Sequence, residues 1–436
     1  MLDTCDYETL CFNGEQFFII ASEHEEDLLE AIEAFQPVPR EMSTSGDRQM
    51  MRMHRYHFRS NGKKASTPMN YLDRYNFSSW DQMVQRGPIE WLPEGTKFLN
   101  LEQNPNLYHF ASFFMPAWSD VVEDPEGSLY FVNSDEKCLT PWKNMLLSEL
   151  VSRATGLLSE EELEVLLDSM QHRESAVDKP KRPILLRNHL RPSDESNTCN
   201  GNVWRAQMPY SICARSARTF SYRQNVLGGW RDHATLRESL GVEERGWGDR
   251  FQSPRVTLVD RQAGSQSTRK LRDPDKILET LEQLPTYLNV TVRYVPGMPP
   301  NPREQVELMG DTDVLIMVHG AGLTNGMFLS QNAAVVELFP FGFVQNDHYR
   351  EMLGKPGIFY RAVHGVFSER FEKELLVSQQ KCAQLAKRKD YIRRRSHSDD
   401  SNTCFHNVWK HADVEVDDED LFEAVLEAVL QLPNYG

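Results

Sequence analysis

Between Arg255 and Leu338, short apolar runs alternate with segments whose apolar positions recur at helical spacing. Arg255-Val256-Thr257-Leu258-Val259 reads as a strand ending at Asp260-Arg261. Asp273-Pro274 then opens a helix with Ile277, Leu278, Leu281 and Leu284 on one face. Asn289 to Val292 is a second strand, and Pro302 to Met309 a helix stopped by Gly310. The apolar run Val314–Val318 ends at His319-Gly320-Ala321-Gly322 and gives way to a helix-like segment through Leu329. Ala334 to Leu338 is a further strand, closed by Pro340. This alternation predicts an α/β domain with a parallel sheet. Such sheets bind ligands beyond the carboxyl ends of their strands, where Arg261, the His319 loop and Glu337 all fall.

The first half is less regular. Residues 40 to 70 are polar and aperiodic and read as a long loop, and Asn100 to Leu147 mixes strand and helix signals. Ser159 to Glu162 is a capping box opening a helix, His172 to Pro183 reads as a linker, and Ile184 to Leu186 as a short strand. The arginine-rich run Cys213 to Gln224 reads as an amphipathic helix with a basic face, or as a lining for a cleft between domains. Near the end, Asp417 to Leu432 is an amphipathic helix with acidic residues in its first turn. Ser193 to Arg205 is echoed by Ser398 to Lys410, as a local duplication or as two halves tied by a Cys199–Cys404 disulfide.

Size and charge narrow the classes. A chain of 436 residues suggests two domains. Its net charge of −16 argues against general affinity for nucleic acid or anionic membranes. The basic run Ala386 to Arg395 goes against that trend and reads as a solvated helix end or loop. No apolar run reaches the roughly 18 residues of a membrane span, and the N-terminus lacks the pattern of a signal peptide. Among seven cysteines there is no CxxC pair to suggest zinc, and Cys5 and Cys11 would suit a small disulfide loop in a secreted chain. Asn76-Phe77-Ser78 and Asn289-Val290-Thr291 are glycosylation sequons.

Glycines just after a strand let the backbone approach a phosphate at a helix N-terminus. In a dinucleotide fold the pattern is G-x-G-x-x-G. Here Gly320 and Gly322 are followed by Asn325, and Gly326 arrives one residue late. A nucleotide-sugar transferase uses a similar loop, and in either case an acidic residue on the next strand, Glu337, would accept from ribose hydroxyls.

Val256 to Gln262 with Ser267 to Asp273, Glu304 to Leu329 and Asn332 to Pro340 resemble successive blocks of glycosyltransferase family 61. That family includes plant xylosyltransferases and an extracellular O-linked N-acetylglucosaminyltransferase. Upstream, Asn106-Leu107-Tyr108-His109-Phe110 resembles its Asn-x-x-His-aromatic block, and Cys5 to Ile19 the start of its luminal domain. The resemblance implies a GT-B fold of two facing Rossmann-like domains. An acceptor-side domain would span residues 1–235, a nucleotide-sugar domain 236–390, and a terminal segment and helix 391–436. It implies inverting transfer of xylose, arabinose or N-acetylglucosamine from a UDP-sugar to a glycan or glycoprotein acceptor, without an obligatory metal or other cofactor. Arg261 and Arg269 would neutralise the diphosphate. His319 and the amides of Gly320, Ala321, Gly322 and Leu323 would cradle the diphosphate or the uracil, Thr324 and Asn325 would add hydroxyl and amide contacts, and Glu337 would hold the ribose.

His109 would be the base that deprotonates the acceptor. Relatives carry an acidic residue four positions later, where this chain has Phe113; either Asp120 supplies that carboxylate or His109 works unaided. Glu304 and Gln305 match the family on a helix where they would pack or cap. The resemblance also implies the Golgi or ER lumen, with an anchor outside this chain; a cytosolic chain is the other reading. Two further classes stay open: a non-catalytic glycan- or nucleotide-binding relative, favoured by Phe113, and a nicotinamide-dependent oxidoreductase, disfavoured by Arg261 and Asn325.

Overall fold

The structure, a computed structural model, describes residues 4–12, 17–20, 75–78, 89–100, 107–124, 129–132, 141–155, 211–220, 226–227, 229–242, 252–261, 269–343, 348–354, 356–387, 404–405 and 407–433. The loop expected at 40–70, the helix after Ser159, the linker, the strand at 184–186 and the first copy of the echoed motif lie outside them. The chain divides into two units, Met1–Gly228 and Gly229–Gly436.

The first unit carries a seven-stranded sheet: β1 (Thr4–Phe12), β2 (Phe17–Ile20), β3 (Tyr75–Ser78), β4 (Ile89–Trp91), β5 (Lys97–Asn100), β6 (Leu129–Val132) and β7 (Ser211–Phe220). Its order is β3-β2-β1-β7-β5-β6, with β4 also paired to β7. The sheet is mixed, unlike the parallel pattern of a Rossmann-like domain, because β1 runs antiparallel to both β2 and β7. Helices α1 (Leu107–Glu123) and α2 (Pro141–Thr155) pack together, burying Phe110, Phe114, Trp118, Leu146 and Leu150.

Two readings of this half are corrected. The arginine-rich run forms β7 rather than a helix, because β1, β4 and β5 pair with it: Ile212, Cys213, Ala214 and Ala217 are buried, while Arg215 and Ser216, the latter at a φ of 50°, reach the surface. Cys11 pairs with Cys213 instead of Cys5, because the antiparallel register of β1 and β7 sets the two residues directly opposite.

The second unit is built on a five-stranded parallel sheet of β8 (Arg255–Val259), β9 (Thr291–Val295), β10 (Val314–Val318), β11 (Ala334–Phe339) and β12 (Phe359–His364). The expected strands recur, the second starting two residues later than read. Every residue of β10 and β11 is buried, which explains their near-continuous apolar runs, since helices cover both faces. On one face Val314, Ile316, Val336 and Leu338 pack against α4 (Pro274–Leu281) and the C-terminal helix α9 (Asp418–Leu430). Asp417 caps α9 by accepting from the amides of Glu419 and Asp420. On the other side lie α5 (Pro302–Gly310), capped by Asn301, and a 3-10 helix from Ala321 to Phe328. Helix α6 (His348–Gly354) packs against β12 and the 3-10 helix, which α3 (Trp230–Ser239) also meets, while α7 (Glu369–Ser378) and α8 (Gln380–Ala386) pack together in a second cluster with Phe341 and Trp409.

Cys404 pairs with Cys382, which rules out the Cys199–Cys404 tie. Lys387, in the basic run, meets Glu372 at 2.5 Å; the remainder of that run lies outside the described residues.

The Cys11–Cys213 bond joins positions 202 residues apart and so removes much freedom from the unfolded chain. Replacing both cysteines by serine is expected to cost the first unit about 2–5 kcal/mol, read as a lower denaturant midpoint for that unit's transition.

Candidate functional site

The strand order of the second unit is β9-β8-β10-β11-β12. The chain builds outward from β8 to β9 on one side, then crosses to β10 and onward on the other. The order therefore reverses between β8 and β10, and a crevice opens at their carboxyl ends. Asp260 and Arg261 follow β8, and His319 and Gly320 follow β10, so the topology itself brings these two segments together.

Asp260 organises the near side. Its Oδ1 accepts from the amides of Arg261 (2.7 Å) and Leu271 (3.0 Å), and its Oδ2 lies 3.4 Å from the Tyr294 hydroxyl. One carboxylate thus pins both ends of the 261–271 connection and brings Arg269 back beside Arg261. Arg269 adopts a φ of 76°, uncommon for a residue with a side chain, and its Nη1 donates to the His319 carbonyl at 3.0 Å. Burial lowers the pKa of both guanidinium groups; that of Arg269, further lowered by the charge of Arg261, falls to about 10. Both are still cationic at neutral pH. Arg261 Nη1 and Arg269 Nε are buried with no hydrogen-bond partner among the described residues. Two adjacent buried cations with donors to spare fit an anion.

The glycines of the loop have separate reasons. Gly320, at φ 157°, lets the Arg261 guanidinium lie against the backbone; a Cβ there would sit 3.2 Å from Nη1. A Cβ on Gly322 would overlap Met317 Cε. The late Gly326 does mark close packing, since its Cβ would be 2.8 Å from Leu353 of α6. The helix that follows is 3-10 rather than α, with Leu323, Thr324 and Asn325 buried in it and Ala321 half-buried. Asn325 donates through Nδ2 to the Gly322 carbonyl at 2.9 Å, and its Oδ1 is buried with no hydrogen-bond partner among the described residues.

Glu337, only 1% exposed, is the sole charged residue of β11. Its Oε1 meets His319 Nδ1, and its Oε2 accepts from the Tyr360 hydroxyl at 2.5 Å. With both oxygens engaged inside the protein, Glu337 is turned towards His319 rather than outward for a ribose. The His319 ring stacks on Phe339 at 4.9 Å, with Phe343 and Tyr349 around it. Burial and the nearby Glu337 charge push the Tyr349 phenol well above its ordinary pKa, so its hydroxyl stays protonated beside Thr324. Tyr349, Tyr360 and Phe343 carry no motif; only their convergence on the His319–Glu337 pair marks them.

Behind the site, α3 presents two buried groups to the far end of the 3-10 helix. Arg237 donates from Nε to the Phe328 carbonyl (3.1 Å) and from Nη2 to Ser330 Oγ (3.2 Å). His233 is wholly buried, and burial with the Arg237 charge lowers its pKa to about 3. On α5, Gln305 is buried and donates to the Pro299 carbonyl at 2.5 Å, while Glu304 faces solvent.

In the first unit, His109 lies in α1, though its side chain is outside the described residues. Asp120 is buried between Lys97 (2.7 Å) and Arg218 (2.5 Å). The two positions share one continuous helix eleven residues apart, about 16 Å along the axis. Asp120 therefore cannot be the carboxylate that orients His109, and it serves as counter-ion to two cations.

The sequence profile of the family described as Glycosyltransferase 61 matches residues 107–336, more than half of the chain. The chain belongs to the glycosyltransferase 61 family. It is 38% identical over 89 residues to the beta-1,2-xylosyltransferase XAX1 of Oryza sativa subsp. japonica, a stretch covering 20% of this chain and 14% of that protein. It is 36% identical over 88 residues to an EGF domain-specific O-linked N-acetylglucosamine transferase of Xenopus laevis, covering 20% of this chain and 15% of that one.

His233 gives the site's support a pH signature. Unfolded, a histidine takes up its proton near pH 6.5, whereas folded His233 stays neutral down to about 3. Acid therefore favours the unfolded chain across that window, by about 1.4 kcal/mol per pH unit for this group. In urea titrations from pH 7 to 4, His233→Gln is expected to show a shallower loss of stability than the wild type.

Proposed function

We propose that this protein is an inverting glycosyltransferase of GT-B architecture that transfers xylose, arabinose or N-acetylglucosamine from a UDP-sugar to a glycan or protein-linked acceptor. The observation that carries this reading is the pair of buried guanidinium groups, Arg261 and Arg269, with spare donors at the strand-order reversal. They lie beside the N-terminal end of the 3-10 helix, where the first-turn amides of Ala321 and Gly322 would favour the same anion; the Leu323 amide is taken by the Gly320 carbonyl at 2.9 Å. Family membership supplies the class of reaction, and the names of the two relatives support xylose and N-acetylglucosamine among the sugars.

In this reading the acceptor oxygen attacks the anomeric carbon while the bond to the β-phosphate breaks, and the electron pair leaves with UDP. Arg261 and Arg269 stabilise the charge that develops there, as fixed cations in a partly desolvated site. His319, held by Glu337 and stacked on Phe339, completes the wall of the donor pocket. Glu337 acts through His319, and ribose contacts fall to other groups. His109 takes the acceptor proton. Phe113, one turn after His109, favours a second reading, a relative that binds the donor without turnover. Two disulfides support a luminal site of action, since such bonds persist in oxidising compartments. No described helix is long and apolar enough to cross a membrane.

Thermal unfolding with UDP, UDP-sugars and NAD, each with and without EDTA, tests the proposal. UDP at 100 times its dissociation constant should add about 2.7 kcal/mol of stability. That gain should survive EDTA and disappear in Arg261→Ala. Gly320→Ala, which crowds the same guanidinium, should weaken it. A UDP shift without release of UDP from any sugar donor would select the second reading. A cooperative melt that no UDP compound moves would reject the donor site, and a response to NAD alone would revive the oxidoreductase.

A further inference from the structure

We infer that Asn289 carries an N-linked glycan, placed on the edge of the second unit's sheet away from the donor site. The inference rests on the luminal reading proposed above, because the transferase that reads such sequons works in that compartment.

Asn289-Val290-Thr291 is a complete sequon, and the local structure presents it to solvent. It lies where the helical turn Leu284–Tyr287 passes into β9. Val290 is 6% exposed and packs in the core of the second unit. The Thr291 amide donates to the Pro254 carbonyl at 2.9 Å. These two anchors fix the backbone, and extended-chain alternation then turns the neighbours of Val290 outward: Asn289 and Thr291 are both exposed. The Asn289 carboxamide donates from Nδ2 to the Gln252 carbonyl, itself at the surface. Glycosylation replaces only one of the two amide hydrogens, so that bond can persist in the modified protein. Tyr287, two residues before the asparagine, is 71% exposed, an apolar surface that an attached sugar would cover.

The position also suits the fold. β9 is an edge strand, paired only with β8 among the described residues, and its residues are exposed or half-buried along its whole length. Exposed edges invite pairing with other chains, and a bulky hydrophilic group two residues before the strand obstructs that approach at its amino end. Because the strands are parallel, Asn289 sits at their amino ends and the Arg261–Gly320 crevice at their carboxyl ends. A glycan there leaves the crevice open. The second sequon differs, since Asn76 lies within β3, in register with Phe18 of β2.

In the modification step the Asn289 amide nitrogen loses a proton and bonds to the anomeric carbon of an oligosaccharide carried on a lipid diphosphate. The sugar–oxygen bond breaks, and the lipid diphosphate leaves with its electron pair; the proton goes to the oligosaccharide-transferring enzyme.

The test is peptide mapping of the full-length protein isolated from the cells that make it, with and without peptide N-glycosidase in heavy-oxygen water. The expected result is conversion of Asn289 to labelled aspartate in most copies. The modification should be lost in Asn289→Gln and Thr291→Ala expressed in the same cells, and kept in Thr291→Ser. Non-reduced maps of the same sample read the Cys11–Cys213 and Cys382–Cys404 bonds. Formed disulfides with unmodified Asn289 would overturn the glycan and leave the luminal reading intact. Free thiols with unmodified Asn289 would overturn both. The wild-type peptide decides the matter even if a variant fails to fold.

Discussion

A carboxylate buried in the middle of an apolar strand is costly unless donors meet both of its oxygens, and Glu337 imposes that requirement on the second unit. Met317, Glu337 and Ala362 sit in register across β10, β11 and β12, so the donors must come from the strands on either side. His319, just beyond β10, meets one oxygen, and Tyr360 on β12 meets the other. The loop after β10 is thereby tied to the sheet at the position where the strand order reverses. Phe339 then stacks against both His319 and His364, and Tyr349 closes the box. An electrostatic demand inside one strand fixes the ring that walls the crevice above it.

The arginines make the complementary case. Asp260 spends its oxygens on backbone amides and the Tyr294 hydroxyl, so it shapes the 261–271 connection without forming a close ion pair with Arg261 or Arg269. Arg269 is held by a carbonyl, and Arg261 lies against a glycine backbone. The two cations raise one another's energy until an anion arrives. In the proposed reading, a site poised in this way would meet a diphosphate with charge that is already in place and little reorganisation at the moment of transfer.

The first unit solves a different problem. Its sheet draws β1 from the start of the chain and β7 from two hundred residues later, a pairing of high entropic cost that the Cys11–Cys213 bond holds together. Asp120 similarly joins α1 to β5 and β7 through Lys97 and Arg218. Such a buried ion pair holds these elements in position, and removing one partner would strand the others. This explains why a carboxylate near the family's histidine block is structural here.

In the second unit the elements were legible from the sequence because each carries a local signal. β8, β10 and β11 are short apolar runs with turn residues behind them, and α4, α5 and α9 have an apolar face with an acidic, asparagine or proline start. Arg261, His319 and the glycines could be singled out for the same reason, by their place at strand ends. The first unit was far less legible, since β7 reads as a basic helix until β1 and β5 are laid beside it, and strand pairing has no local signature. Disulfide partners depend on that register, not on spacing. The sequence by itself determined which elements form in the second unit and which residues stand at their carboxyl ends, because periodicity and capping act over a few residues. Only the tertiary structure decided that Glu337 turns inward to His319, that Arg269 returns to Arg261, and that Asp120 neutralises cations. Each of those outcomes depends on burial and on charges brought together from distant parts of the chain.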